Sequence, residues 1–470
     1  MTAMKLKKYF LLSFIASCML CVGSPRPRYV FLFIGDGMST PQRMVAEEFA
    51  VKTGHGELAM NSLPYQVSTR TRSANAIITD SAAAATAIAS GVKTNNGMIG
   101  VDPEGNKVES CAEFAKKNGM KVGIITTVTI VHATPAGFYA HRNSRGQLYQ
   151  IALDLVASGF DYFAGGGVGG KHDEKSNPEY RGDVFELARK AGYTVNRSRA
   201  EWEALKPGSR SWNVFAPAAM AFSIDSDGTQ PTVAEMVAKG IEVLDGPSGF
   251  FMMCEGGKVD YSAHANDAAT NLRDVIALDD AVKVALAWAE KHPEETLVIT
   301  TGDHETGGMS MGFAGTGGKF NVEYLGNQKC SAENFSGKVK AMLNADVNRP
   351  FSDMKPMLSE KFGFVFDGDQ ANPLKLTSAD IRELEKAFEA DRAMVKRRMA
   401  DTTAHDVARK YAFAATAKRI LAARAGVGWS SGSHTALPTL TTAKGVCADM
   451  LLGMKENSDI GIRLKRLLER

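Results

Sequence analysis

Cysteine is scarce and unpaired in this chain. Of six cysteines in 470 residues, Cys18 and Cys21 fall in an N-terminal apolar run. The other four, Cys111, Cys254, Cys330 and Cys447, are widely spaced, with no C-x-x-C pair among them. That spacing argues against a thiolate metal site and a disulfide framework. Cys254 lies in an apolar stretch and is expected to pack as a small hydrophobe. Charge of one sign is also lacking: the formal net charge is +3, too small to attract nucleic acid or an anionic membrane surface. Beyond residue 22 no hydrophobic run is long enough to span a bilayer. No internal repeats occur. A phosphate-binding P-loop is missing as well. Gly165–Lys171 reads GGGVGGK, but His172 stands where a Ser or Thr should hold magnesium. No hydrophobic helix opens there, so the segment reads as a glycine turn after a strand.

What is present begins with an export signal over residues 1–23. Lys5, Lys7 and Lys8 precede an apolar run at 9–22, with small residues at Gly23 and Ser24 for cleavage. The IASC at 15–18 also resembles a lipoprotein processing box with Cys18 as the lipidated residue, and both kinds of signal remain open. The mature chain, 24–470, is therefore expected to be exported: periplasmic, or lipid-anchored at the cell envelope, with the anchor as its only membrane contact.

Strand-like and helix-like stretches then alternate. Residues 30–34 form a continuous apolar run into a Gly-Asp-Gly turn, followed by helical text at 42–51 and a small-residue helix at 82–90. Helix then strand recurs at 109–117 and 122–126, at 146–158 and 162–164, and at 233–244 and 250–254. Leu272, Val275, Ile276, Leu278, Val282 and Leu286 recur at helical steps, and a strand at 296–300 follows Pro293. This alternation predicts an α/β fold: a three-layer sandwich with a mostly parallel central sheet and helices on both faces. Residues 310–405 change texture, with charged helical stretches at 332–344 and 378–399, the second capped by Thr377 with Asp380. They read as a mainly helical insertion before the chain resumes with a helix around 407–425.

Candidate chemistry collects where strands end, the usual ligand side of an open α/β sheet. Asp36 follows the first strand. Glu255 follows the strand at 250–254, and Asp260 and His264 stand one helical turn apart just after it. Asp303 and His304 follow the strand at 296–300 inside TGDHETGG. His434 lies in a small-residue loop, and Thr134 and Arg145 follow the strand at 122–126. Ser81 opens a helix made almost entirely of alanine, where the positive helix end suits an anion and the alanines leave room for one. Each has a bland reading. Asp260 and Ser81 are common helix caps, Asp303 and His304 suit a polar loop, Thr134 suits a turn, and a lone His is usually a packed or surface residue. As a set they offer carboxylate, imidazole and hydroxyl ligands without thiolate, which suits zinc at catalytic sites and magnesium.

Six segments in order resemble the alkaline phosphatase family: FIGDGM around Asp36, TDSAAAATA around Ser81, His132-Ala-Thr-Pro with His141 and Arg145 downstream, EGGKVD with His264, TGDHETGG, and Gly-Ser-His434-Thr. The resemblance implies a phosphate-monoester hydrolase with two zinc ions and one magnesium. It implies that Ser81 becomes a phosphoserine and that Arg145 clamps phosphoryl oxygens. Asp260, His264 and His434 would hold the first zinc, and Asp36, Asp303 and His304 the second. Asp36 would bridge to magnesium with Thr134 and Glu255. Asp80 would lie beside the substrate. Two positions depart from the best-known bacterial pattern: His132 replaces an Asp near the third metal, and Tyr261 replaces a Lys near phosphate. A homodimer is implied too. Rival readings are a phosphodiesterase or sulfatase on the same scaffold, and a non-catalytic phosphate- or metal-binding surface protein.

Overall fold

The computed structural model describes residues 26–313, 316–369, 371–400 and 411–469. The expected signal at 1–23, with Cys18, lies outside the described residues, as do the last residues of the 310–405 segment.

Thirteen strands are described. In chain order they are β1 (Tyr29–Gly35), β2 (Tyr65–Thr69), β3 (Lys121–Thr129), β4 (Tyr162–Gly166), β5 (Thr194–Asn196), β6 (Ser211–Val214), β7 (Phe250–Gly256), β8 (Thr296–Gly302), β9 (Glu305–Thr306), β10 (Met309–Met311), β11 (Val427–Trp429), β12 (His434–Thr435) and β13 (Thr439–Gly445). Nine of them form one sheet in the order β2-β13-β8-β1-β7-β3-β4-β6-β5. Only β13 runs against its neighbours, β2 and β8. β1 is central, parallel to both β7 and β8. Every residue of β1 is buried, which is why its sequence is an unbroken apolar run rather than an alternation.

The pleat still sorts those side chains. Phe31 and Phe33 join an apolar cluster on one face, and Val30, Leu32 and Ile34 join the other. The first face is covered by helices Thr40–Lys52, Val233–Leu244 and Ala268–Lys291. The second is covered by Ser81–Ser90, Cys111–Lys117, Leu148–Ser158 and Ser458–Leu468. The expected mostly parallel three-layer sandwich is therefore the observed fold.

Helices Ala332–Ala345, Lys355–Phe362 and Ser378–Ala400 gather beside helix Ala412–Ala425. Phe335, Phe351 and Phe388 meet Phe413 with ring centroids 5.6, 6.2 and 5.5 Å away. Their apolar side chains are continuous with the core on the first sheet face. Thr377 and Asp380 cap Ser378–Ala400 reciprocally, as their spacing suggested. Among the described residues Cys111, Cys254, Cys330 and Cys447 form no disulfide, and Cys254 is buried in the core. Among the described residues no helix is long and apolar enough to cross a membrane.

Candidate active site

Strand register brings the first carboxylates together. Gly35 lies opposite Gly302 on one side and Gly256 on the other. Asp36 and Asp303 therefore leave adjacent strands at the same level, with Glu255 two residues earlier on β7, opposite Ile34. Glu255 sits inside β7, not beyond it: pairing with β1 carries the strand through Gly256, past the apolar residues that marked it in the sequence. The Gly37 N–H donates to Asp303 Oδ1 at 3.1 Å, closing the turn onto β8. Gly37 has φ +70, and a Cβ there would lie 2.8 Å from Thr306 Oγ1 and 2.9 Å from Asp260 Oδ1, so only glycine lets the turn approach this closely.

Helix Lys258–His264 opens directly after β7. Its N-cap position is Gly257, so the capping reading of Asp260 fails. Asp260 faces inward instead, 3.4 Å from His264 Nε2 and 3.7 Å from His434 Nε2. His434 is not in a free loop: β12 pairs with β9, setting His434 opposite Thr306. Ser81 is not the cap of its helix either. Asp80 holds that position and accepts from Ala83 N–H at 3.0 Å, which leaves the Ser81 hydroxyl available. Thr134 lies in a one-turn helix, Ala133–Ala136, rather than a turn.

Three clusters result: Asp260, His264 and His434; Asp36, Asp303 and His304; and Asp36, His132 and Glu255. Hydrogen bonds orient the imidazoles in the first two. His264 Nδ1 donates to Gly432 O at 2.8 Å, and His434 Nδ1 donates to Thr79 O at 2.9 Å. Each Nε2 thus turns a lone pair inward. Thr306 Oγ1 donates to Asp260 Oδ1 at 2.6 Å and accepts from His304 Nδ1 at 3.2 Å. His304 Nε2 is left facing Ser81 Oγ at 3.1 Å, Asp303 Oδ2 at 3.2 Å and Asp36 Oδ1 at 3.3 Å.

In the third cluster, His132 Nδ1 lies 3.6 Å from Asp36 Oδ2 and 3.5 Å from Glu255 Oε1. Thr134 Oγ1 donates to Asp36 Oδ2 at 3.3 Å, and Thr126 donates to Glu255 Oε2. Arg145 Nη2 donates to His132 Nε2 at 3.1 Å, while Arg145 Nη1 pairs with Asp80 Oδ2, also at 3.1 Å. With Nε2 accepting, the neutral His132 ring carries its proton on Nδ1, toward the two carboxylates. The Tyr261 ring meets His132 edge-on, with centroids 6.0 Å apart.

The electrostatics ask for positive charge. Asp36, Asp303, Asp260 and Glu255 are all buried. Asp36 Oδ1, Asp303 Oδ2 and Glu255 Oε1 have no hydrogen-bond partner. Buried carboxylate oxygens without donors are costly unless a cation takes them. Burial, then repulsion from Asp303, Asp260 and Glu255, pushes the Asp36 carboxyl well above the usual range. Burial does the same to Asp303. Burial, then the neighbouring His434 and His264, pushes His304 well below its ordinary value, which keeps it neutral and able to ligate. Burial, then the charges of Asp36, Glu255 and Asp260, push the Tyr261 phenol up to about 12, so it stays protonated in alkaline solution. Oxygen and imidazole donors converging on bare carboxylates fit divalent cations.

The alkaline phosphatase family model matches residues 27–470. The chain belongs to the alkaline phosphatase family. It is 31% identical over 451 residues to Alkaline phosphatase 4 of Bacillus subtilis, covering 92% of this chain and 87% of that protein. The cold-active alkaline phosphatase of a Shewanella species has the same fold, with TM-score 0.78 at 24% identity, covering 94% of this chain and all of that one. A variant of the TAB5 alkaline phosphatase, described with Mg bound in its M3 site, gives TM-score 0.64 at 24% identity over 95% of this chain and 99% of that one. The enzyme is thus a phosphomonoesterase.

Several residues of this alkaline phosphatase site escaped the sequence reading. Thr306 is the hydroxyl that joins His304 to Asp260; only its place in the TGDHETGG segment hinted at a role. Glu305 is fully buried and accepts from Gln42 Nε2 at 2.6 Å, from Gly308 N–H at 3.1 Å and from the Thr435 hydroxyl. It ties helix Thr40–Lys52 to the strands carrying Thr306 and His434. Gln42 gave no signal at all, because nothing local marks a glutamine that works 263 residues away.

Proposed function

We propose that the phosphomonoesterase reaction of this chain runs through a covalent phosphoserine on Ser81, at a centre of two zinc ions and one magnesium. The observation that carries the reading is the position of Ser81 Oγ, 3.1 Å from the inward lone pair of His304 and at the first position of a ten-residue buried helix. His264, His434 and Asp260 are assigned one zinc, and His304, Asp303 and Asp36 the other. Asp36, Glu255 and Thr134 are assigned magnesium, with His132 beside it. Bound there, the divalent ions would supply the positive charge that favours a serine alkoxide and a departing alkoxide.

The chain's own residues do the rest. Ser81 Oγ gives its proton to solvent and forms a bond to phosphorus as the ester oxygen–phosphorus bond breaks, and the alcohol leaves with a proton from water. Water then attacks the phosphoserine and loses a proton, Ser81 Oγ departs and takes one up from solvent, and inorganic phosphate is released. The N–H groups at the start of helix Ser81–Ser90 face the phosphoryl oxygens. Arg145 turns its planar fork to two of those oxygens, steered by Asp80. Such a transition state is mostly charge to be neutralised, so placement matters more than bond chemistry.

The N-terminal signal supports export to the periplasm or cell envelope, and the family resemblance supports a homodimer. The test of mechanism is acid-quenched turnover of p-nitrophenyl phosphate. Wild-type protein traps phosphate on Ser81, Ser81→Ala traps none and loses at least about a thousandfold in kcat, and both effects require metal. Turnover that survives full chelation, or diesters cleaved faster than monoesters, refutes the reading.

A further inference from the structure

A cavity of about 630 Å3 opens beside the first cluster, sharing Tyr261 and His264 with the site. Two helix faces line it. Helix Ala332–Ala345 contributes Glu333, Ser336, Gly337 and Lys340, and helix Ala412–Ala425 contributes Ala414, Ala415 and Lys418. Glu333, Ser336 or Gly337, and Lys340 follow at steps of three or four, as does Lys418 after Ala414 and Ala415, so each set is one face. The middle of both faces carries only hydrogen, methyl or hydroxymethyl groups.

Gly337 stands out on energetic grounds. A glycine inside a helix costs about 1 kcal/mol relative to alanine. A Cβ built at Gly337 meets nothing within 4 Å, so close packing does not require glycine there. What its hydrogen leaves is empty volume in the cavity. The space also far exceeds the need of a phosphoryl group: it lies within the range of about 300–1,000 Å3 typical of sites for drug-sized organic molecules.

We propose that this cavity is the leaving-group site of the enzyme, that it takes monoesters of bulky apolar alcohols, and that Gly337 and Ala415 set that selectivity by keeping it open. The proposal rests on the phosphomonoesterase centre described above, because its occupant is the organic part of the same substrate. The small residues of both faces leave room for a bulky apolar group beside the Tyr261 ring. Helix Ala332–Ala345, within the segment read as an insertion, would then build one wall of the substrate site.

The test compares kcat/KM for naphthyl phosphate and glycerol phosphate in the metal-loaded full-length enzyme. In Gly337→Leu and Ala415→Leu the naphthyl-to-glycerol ratio is expected to fall at least tenfold. Thermal unfolding of each variant controls for folding. An unchanged ratio in both leucine variants, or an equal loss on both substrates with folding intact, overturns the proposal. Wild-type protein that hydrolyses neither substrate would instead refute the phosphomonoesterase centre itself.

Discussion

The Nε2 atoms of His264 and His434 face each other at 3.1 Å, and each ring is held in that orientation by a backbone carbonyl on its far nitrogen. Two inward lone pairs at that distance, with Asp260 beside them, repel unless positive charge lies among them. Chelation should therefore destabilise the fold as well as stop turnover. Metal at a hundredfold its dissociation constant contributes about 2.7 kcal/mol per site, so removing it should lower Tm by about 5 °C or more. Differential scanning calorimetry with and without chelator, followed by zinc add-back, reads this; an unchanged Tm would contradict it.

Asp36 belongs to two of the three clusters, whereas His434 belongs to one. Asp36→Asn should therefore reduce the occupancy of two ions together, and His434→Ala of one. Elemental analysis of the dialysed variants gives the count. If Asp36→Asn loses a single ion, its assignment as a bridge is wrong.

Asp80 holds Arg145 through one carboxylate oxygen and caps helix Ser81–Ser90 through the other. The two roles separate by substitution. Asp80→Asn keeps an acceptor for Ala83 N–H but drops the charge beside Arg145, so Tm should hold while kcat/KM falls about tenfold. Asp80→Ala removes both and should lose a further 1 kcal/mol or so of stability. Equal Tm losses in the two variants would show that the charge, rather than the cap, matters to folding.

His132 presents a proton, not a lone pair, to Asp36 and Glu255 while Arg145 donates to it. An aspartate there would offer magnesium an oxygen. His132→Asp is expected to lower the magnesium concentration for half-maximal activity several-fold, and an unchanged activation curve would sink the idea. Tyr261→Lys would add a cation near phosphate and should strengthen product inhibition; the inhibition constant for inorganic phosphate measures it.

Asp274 is buried away from the clusters, accepting from Ser223 N–H at 2.9 Å and Ser223 Oγ at 2.7 Å. Burial pushes its carboxyl up from 3.8 to about 6. The folded state therefore holds its proton more tightly than the unfolded chain does. Stability falls as pH rises from about 4 to about 6 and is flat beyond, with a span of about 3 kcal/mol at about 1.4 kcal/mol per unit. In Asp274→Asn that slope should vanish. Urea denaturation of both proteins at pH 4 and pH 7 measures the difference, and identical slopes would refute it.

The order of strands and helices was legible because each element states its own period. The helix expected at 233–244 is observed at those bounds, and Thr232 and Glu235 close a capping box at its start. β7 and β8 run two residues past their apolar stretches, where glutamate, threonine and glycine stay in register with β1, and β3 reaches Thr129 through a register shift against β4. Pairing sustains a strand where apolar pattern has ceased. Ser81 was legible as a helix start but not as a free hydroxyl, because the cap that releases it is Asp80, a neighbour with the same propensity.

For the opening carboxylate, Asp36, the sequence by itself determined a charged group at the end of a fully buried strand. Local physics suffices for that: an apolar run must be covered on both faces, and glycines must turn it. Which ions Asp36 could share was decided only by tertiary structure. The alignment of Gly35 with Gly256 and Gly302 fixes its distance from Glu255 and Asp303, and the β9–β12 pairing brings His434 to Asp260. The cavity beside Gly337 was likewise hidden, because an empty volume belongs to two helix faces at once and is written in neither of their sequences.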